Sequence, residues 1–171
     1  MKRLLLLLAI AITSISHAQE ISYPYPELED KKYNEWYTMN TFDDLGDVNG
    51  TYKVYKIHTI YEAYDALSFE AIEDIHIHVF QRDNNIEIEI HDLTGSKIKF
   101  VDGKSLYGIK VRARGHGIEK YRTNAANGNL LFKDDDDFNR VIRNGNKEYL
   151  EVVIFDLSAR ELLYRFNMVT Q

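Results

Sequence analysis

Two strictly alternating runs within residues 75–98, IHIHVFQRDNNIEIEIHDLTGSKI, constrain the fold more than any other stretch of the chain. Apolar and polar residues alternate with period two on either side of a short polar break, the pattern of an antiparallel β-hairpin. One face would carry Ile75, Ile77, Val79, Ile86, Ile88 and Ile90, and the other His76, His78, Phe80, Glu87, Glu89 and His91. A slip of one residue would exchange the two faces, so the isoleucines fix the first as a core face. Pairing the strands across a four-residue loop at 83–86 sets His78 opposite His91, Phe80 opposite Glu89 and His76 opposite Leu93.

The rest of the chain continues in the same manner. Residues 51–60 alternate with Tyr52, Val54, Lys56 and His58 on one side and Lys53, Tyr55, Ile57 and Thr59 on the other, which predicts a strand. Further strands are expected at 97–101, 107–113, 118–123, 129–133, 149–156 and 161–169, separated by turn residues at Gly103, 115–117 and 124–128. Ile60, Ala63, Tyr64, Leu67 and Ala71 recur at helical spacing, so a short helix between Tyr61 and Asp74 is an open alternative to loop. A clearer helix lies near 135–143: Asp134 to Asp137 supply acidic residues for its start, Phe138, Val141 and Ile142 form its apolar stripe, and Gly145 follows as a stop. Residues 88–98 also align without gaps on 152–162, each reading as strand, Asp-Leu-Ser/Thr turn, strand. Ala159 stands where the first turn has Gly95, so the two turns should differ in detail.

The expected architecture is therefore mainly β, an antiparallel β-sandwich or partly open β-barrel of about eight or nine strands with one short α-helix near 135–143. Three segments are expected. Residues 1–18 read as a cleaved signal peptide, with Lys2-Arg3 ahead of an apolar run and Ser16-His17-Ala18 at the cleavage site. Residues 19–35, with Pro24 and Pro26 at alternate positions, read as an extended N-terminal arm or surface strap. Residues 36–171 form a single β-rich domain, long enough to bury a core without disulfides, since the chain has no cysteine. The missing cysteine also leaves no lipid-attachment residue after the signal, so the expected location is periplasmic or extracellular.

Charge narrows the partners. The formal net charge of −6 becomes −8 once Lys2 and Arg3 are removed, a balance that repels phosphate backbones and anionic membranes. The one candidate basic stripe is Lys110, Arg112 and Arg114 on one strand face, expected to be solvated. No nucleic acid and no membrane span are expected; the partner is an unknown protein, glycan or small-molecule ligand.

Trp36, the run Asp43-Asp44-Leu45-Gly46-Asp47 with Gly50 behind it, the acidic helix leading into 138–142 and the terminal Tyr164-Arg165-Phe166 together resemble a family of small exported bacterial proteins. In that family the run is usually Asp-Asp-Phe-Gly-Asp and follows a tryptophan; here Leu45 takes the place of the phenylalanine. The resemblance implies export and a β-rich domain and carries no activity. The terminal pattern 152–162 also resembles a hairpin of sorting domains in a bacterial gliding-associated secretion pathway, without their Asn-Pro start.

Three constellations bear on function. On the histidine face, two strand-borne histidines with a third across the hairpin, His76, His78 and His91, resemble the zinc-binding pattern of α-type carbonic anhydrases, and Glu89 could act as base beside them. The simpler reading is a solvent face whose central Phe80 implies partial cover by the N-terminal arm. In the aromatic-rich N-terminal third, Trp36 and Tyr37 are the ligand-binding candidates, although packing is the commoner role of such residues. The acidic turn 43–50 lacks the spacing and the terminal glutamate of a calcium loop. No Gly-x-Ser-x-Gly elbow is present and His116 lies in a turn, so no nucleophilic residue is assigned. The expectation is an exported, non-enzymatic binding or envelope-associated module with no cofactor. The alternatives are a structural component of a cell-surface assembly and a zinc-dependent enzyme built on the three histidines.

Overall fold

A computed structural model of the chain describes residues 25–60, 74–92, 94–102, 107–113, 117–159 and 161–171. The expected signal peptide, the start of the arm, the candidate helix after Tyr61 and the turns at Gly103 and His116 fall outside the described residues.

The chain is mainly β. Among the described residues ten antiparallel strands join in one sheet: β1 (Glu35–Phe42), β2 (Val48–Ile60), β3 (Asp74–Arg82), β4 (Asn85–Asp92), β5 (Lys97–Ile98), β6 (Tyr107–Ala113), β7 (Ile118–Ala126), β8 (Asn129–Phe132), β9 (Tyr149–Asp156) and β10 (Glu161–Val169). Their order is β1-β2-β3-β4-β8-β7-β6-β9-β10, with β5 paired to β4 beside that path. β7 is the corner of the sheet. Its first part, to Thr123, pairs with β6, and Asn124 to Ala126 pair with β8. One long strand thereby turns the sheet back over itself, as strands do at the corners of packed sheets.

The fold-back creates the core. Tyr55, Ile57, Ile77, Val79, Ile88 and Ile90 from the first half meet Ile109, Val111, Leu150, Val152, Ile154, Phe166 and Met168 from the second. Each isoleucine sealed there stabilises the fold by about 1.5–3 kcal/mol relative to exposure. Among the described residues one α-helix, α1 (Asp137–Asn144), closes an end of this core with Phe138 and Ile142, and Phe138 packs 4.5 Å from the Phe132 ring. Asp136 at its start makes no capping bond; its carboxylate accepts from the Lys133 amide at 2.7 Å. Gly145 ends the helix with φ −77°, so its role is space: a Cβ there would lie 2.4 Å from Thr170 Oγ1.

The sheet is not closed into a barrel. Among the described residues β1 and β10 each pair on one side only, and the C-terminal end of β10 reaches β2 through side chains. Trp36 Nε1 donates to the Val169 carbonyl at 2.7 Å, and the Val169 amide donates to Tyr55 Oη at 3.1 Å. The echo of 88–98 at 152–162 is real as a pair of Asx turns and differs as expected. Asp92 Oδ1 accepts from the Thr94 and Ser96 amides with Gly95 at φ +81°, whereas Asp156 Oδ1 accepts from the Ser158 and Ala159 amides and the strands resume with Asp156 opposite Glu161.

Candidate functional site

The register of the central hairpin corrects the expected one. Asp83 (φ 45°) and Asn84 (φ 66°) alone make the turn, because both residue types tolerate the left-handed conformation that a tight two-residue hairpin needs. The strands therefore pair His76 with His91, His78 with Glu89 and Phe80 with Glu87. The faces are unchanged, since the shift is by two residues, but every cross-strand neighbour of the histidines moves.

β2 adds a third row: Val54 lies beside Phe80, Lys56 beside His78 and His58 beside His76. This face is buried, not solvated: His78 and Phe80 are fully covered, and His76, Glu89 and His91 nearly so. The cover is the N-terminal strap. Its Pro26–Leu28 turn of 3-10 helix drops Leu28 against Val54 and Phe80. Tyr25 lies edge-on to His78 at 5.1 Å and to Phe80 at 5.2 Å, while its hydroxyl donates to Glu89 Oε2. Tyr33 stacks over His76. Phe80 on the polar face was the signal for such a cover.

Lys56, which its sequence position left unremarked, ties the strap down. Its ammonium donates to the carbonyls of Leu28 at 2.6 Å, Glu29 at 3.0 Å and Lys31 at 2.9 Å, and lies 4.4 Å from the centre of the Tyr33 ring. Burial lowers its pKa, and the charges of Asp30 and Glu29 oppose that shift. Asn129 is the other unforeseen member, donating to Glu89 Oε1 at 2.8 Å and Glu87 Oε2 at 3.1 Å.

Glu89 collects these donors. Burial alone would raise its pKa, but hydrogen bonds from His91 and Tyr25, the Lys97 charge and the Asn129 amide outweigh it and hold the carboxyl at about 2. His78 is shifted down as well, but for a histidine the downward shift favours the uncharged form. Burial and the neighbouring His91 lower its pKa to about 3, so its ring is neutral at physiological pH. The His91 ring nitrogens face Glu89 Oε2 and the Gly95 carbonyl, both at 3.2 Å. Among the described residues no three His, Asp or Glu side chains are grouped as a metal ion would require. The rings of His78 and His91 are 5.5 Å apart and edge-on, an aromatic contact.

The ligand candidates Trp36 and Tyr37 point to opposite faces of β1. Trp36 packs on Tyr55 of the core at 5.3 Å, and Tyr37 joins the strap cluster of Leu28, Val54 and Phe80. Both nevertheless line one cleft, because β1 is a sheet edge. The cleft runs along the seam where β1 and β2 confront β10, encloses about 480 Å³, and is bordered by Trp36, Tyr37, Tyr55, Lys53, Lys147 and Gln171 among others. A second hollow of about 280 Å³ shares Asn34, Tyr55 and Val169 with it and extends the seam toward His58 and Tyr149.

No protein-family model matches the chain, and neither a curated protein nor a solved structure does. No helix among the described residues is long and apolar enough to cross a membrane.

Proposed function

We propose that the protein is an exported, non-enzymatic binding module, periplasmic or extracellular, whose ligand lies in the seam cleft against Trp36. The observation that carries this reading is the cleft itself, of a volume suited to a small ligand. An aromatic wall stands there beside amide and charged groups of both signs: Asn34, Glu35, Lys53, Lys147 and Gln171. That mixture suits a neutral, hydroxyl-rich molecule such as a glycan segment, which stacks on a ring and satisfies several polar groups at its rim. The apolar run after Lys2-Arg3 supports export.

Trp36 is the single tryptophan of the chain, so its emission reports on the cleft alone. Titration with a panel of neutral oligosaccharides should give a saturable change, weakened at least tenfold by Tyr37→Ala. Calorimetry on Trp36→Ala should show the same loss. No response to any sugar, with Trp36→Ala changing only stability, would reduce Trp36 to packing and remove the reading.

A second reading, a component of a surface assembly, is favoured by β1 and β10, the two strands that among the described residues pair on one side only. The zinc enzyme built on His76, His78 and His91 is tested by metal content. Stoichiometric zinc in the purified protein, lost in His78→Ala, would displace both binding readings.

A further inference from the structure

The outer face of β6, β7 and β9 runs against the charge of the whole molecule. The cross-strand register sets Lys110 directly opposite Lys120 and Gly108 opposite Arg122, with Arg112 one step along β6. Like charges paired in this way repel, so an isolated sheet gains nothing from the arrangement. The carboxylate of that face on β9, Glu151, is already shared between Arg112 at 3.5 Å and Arg165. Among the described residues neither Lys120 nor Arg122 has an acidic partner, and Lys110 leans over the Phe155 ring, 4.3 Å from its centre.

The same place is hollow and apolar. Gly108 forms its floor: a Cβ there would meet Leu157 Cδ2 at 2.8 Å, so the missing side chain lets Leu157 fold down beside Phe155. The resulting groove encloses about 460 Å³ and is lined by the apolar Phe155 and Leu157 together with the cationic Lys110, Lys120 and Arg122. Asp156 also borders it, but Asp156 Oδ1 is turned into its own loop, accepting from the Ser158 and Ala159 amides. Leu157 remains 42% exposed, an apolar surface beside unpaired cations.

We propose that this groove is a second binding site and takes a small amphiphilic anion, a carboxylate, sulfate or phosphate carried on an alkyl or aromatic body. The anionic group answers the Lys110–Lys120 repulsion and the Arg122 guanidinium; the apolar body lies along Phe155 and Leu157. An inorganic anion meets only half of the site, and a neutral amphiphile only the other half. The groove shares no lining residue with the seam cleft, so the two proposals stand or fall separately.

The test is a titration of the 15N-labelled protein with octyl sulfate below its micelle concentration, beside sodium sulfate and octyl glucoside. Saturable shifts are expected at the amides of Gly108 to Lys110, Lys120 to Arg122 and Phe155 to Leu157, with the two controls at least tenfold weaker. Lys120→Gln with Arg122→Gln, both exposed and so compatible with folding, should weaken octyl sulfate at least tenfold. Thermal stability should be unchanged or raised, because repulsion is removed. An equal response to sulfate alone, shifts scattered over the surface, shifts confined to the seam, or undiminished binding by the double variant would each overturn the proposal. Preferential binding of an acidic peptide over octyl sulfate would overturn it as well.

Discussion

The two faces of the β3–β4 hairpin are both largely buried, and by unlike means. The isoleucine face is sealed because β7 turns the sheet over onto it, and its contacts are apolar on both sides. The histidine face is sealed by a separate segment, the strap from Tyr25 to Asn34, which must satisfy an imidazole-rich and carboxylate-bearing surface while excluding water. Apolar burial requires only shape, whereas polar burial requires a partner for each donor and acceptor. The first face is thus indifferent to pH, and the second is tied to it.

Truncation separates the two most sharply. Ile88→Ala removes a fully buried side chain from the isoleucine face and should cost about 2–5 kcal/mol in urea unfolding, by the same amount at pH 5 and pH 7.5. A cost that varied with pH would break the distinction. On the other face, Lys56→Met keeps much of the buried stem but strips three strap carbonyls of their donor, and about 2–3 kcal/mol should be lost. The loss should be accompanied by faster proteolysis within 25–34, mapped by mass spectrometry; unchanged cleavage would show that Lys56 does not hold the strap.

Acid probes the second face without mutation. His78 titrates at about 3 when folded against an ordinary value of 6.5, so the unfolded chain binds more protons between those limits and stability falls as pH drops through that window. Each pH unit below 6.5 costs about 1.4 kcal/mol, or about 2 kcal/mol at pH 5. Glu89 adds to the loss below 4.5, because its folded value of about 2 also lies beneath its unfolded one. Thermal melts from pH 7.5 to 5 should show the decline, and His78→Leu should flatten it. A flat wild-type profile would sink the assignment.

Sequence alternation sufficed to separate the two faces, because period two permits no other partition of Ile75 to Ile90. It misplaced the register by two residues. Whether Asp83 and Asn84 turn alone or share a longer loop depends on two residues adopting positive φ, which their types permit but do not compel. Phe80 among histidines hinted at a cover. Lys56 and Asn139 gave no such hint, since their partners are backbone carbonyls, which every sequence has: Asn139 Nδ2 donates to the Asn84 carbonyl at 2.6 Å and the Lys133 carbonyl at 2.9 Å. Trp36 and Tyr37 could be named as aromatics. That residues on opposite faces of one strand border one cleft follows from β1 being an edge and from β10 arriving across the seam, a consequence of the long-range path of the sheet.

The smallest expected effect is the most selective. Tyr25→Phe keeps the ring against His78 and Phe80 and deletes only the hydroxyl that donates to Glu89, so burial is preserved and one charge-assisted bond is lost. About 1–2 kcal/mol should disappear at pH 7. The bond helps to hold Glu89 low, so its removal raises the folded pKa of Glu89 toward 4.5. The variant then loses less on acidification than the wild type does. The gap between them, measured by urea unfolding at successive pH values, should narrow as pH falls below 4.5. The phenol itself takes no part in the titration, because burial and the Glu89 carboxylate push its own pKa up. The absence of any gap at every pH would mean that the hydroxyl adds nothing and that Tyr25 stabilises the strap by packing alone. The histidine face would then be sealed by the same physics as the isoleucine face.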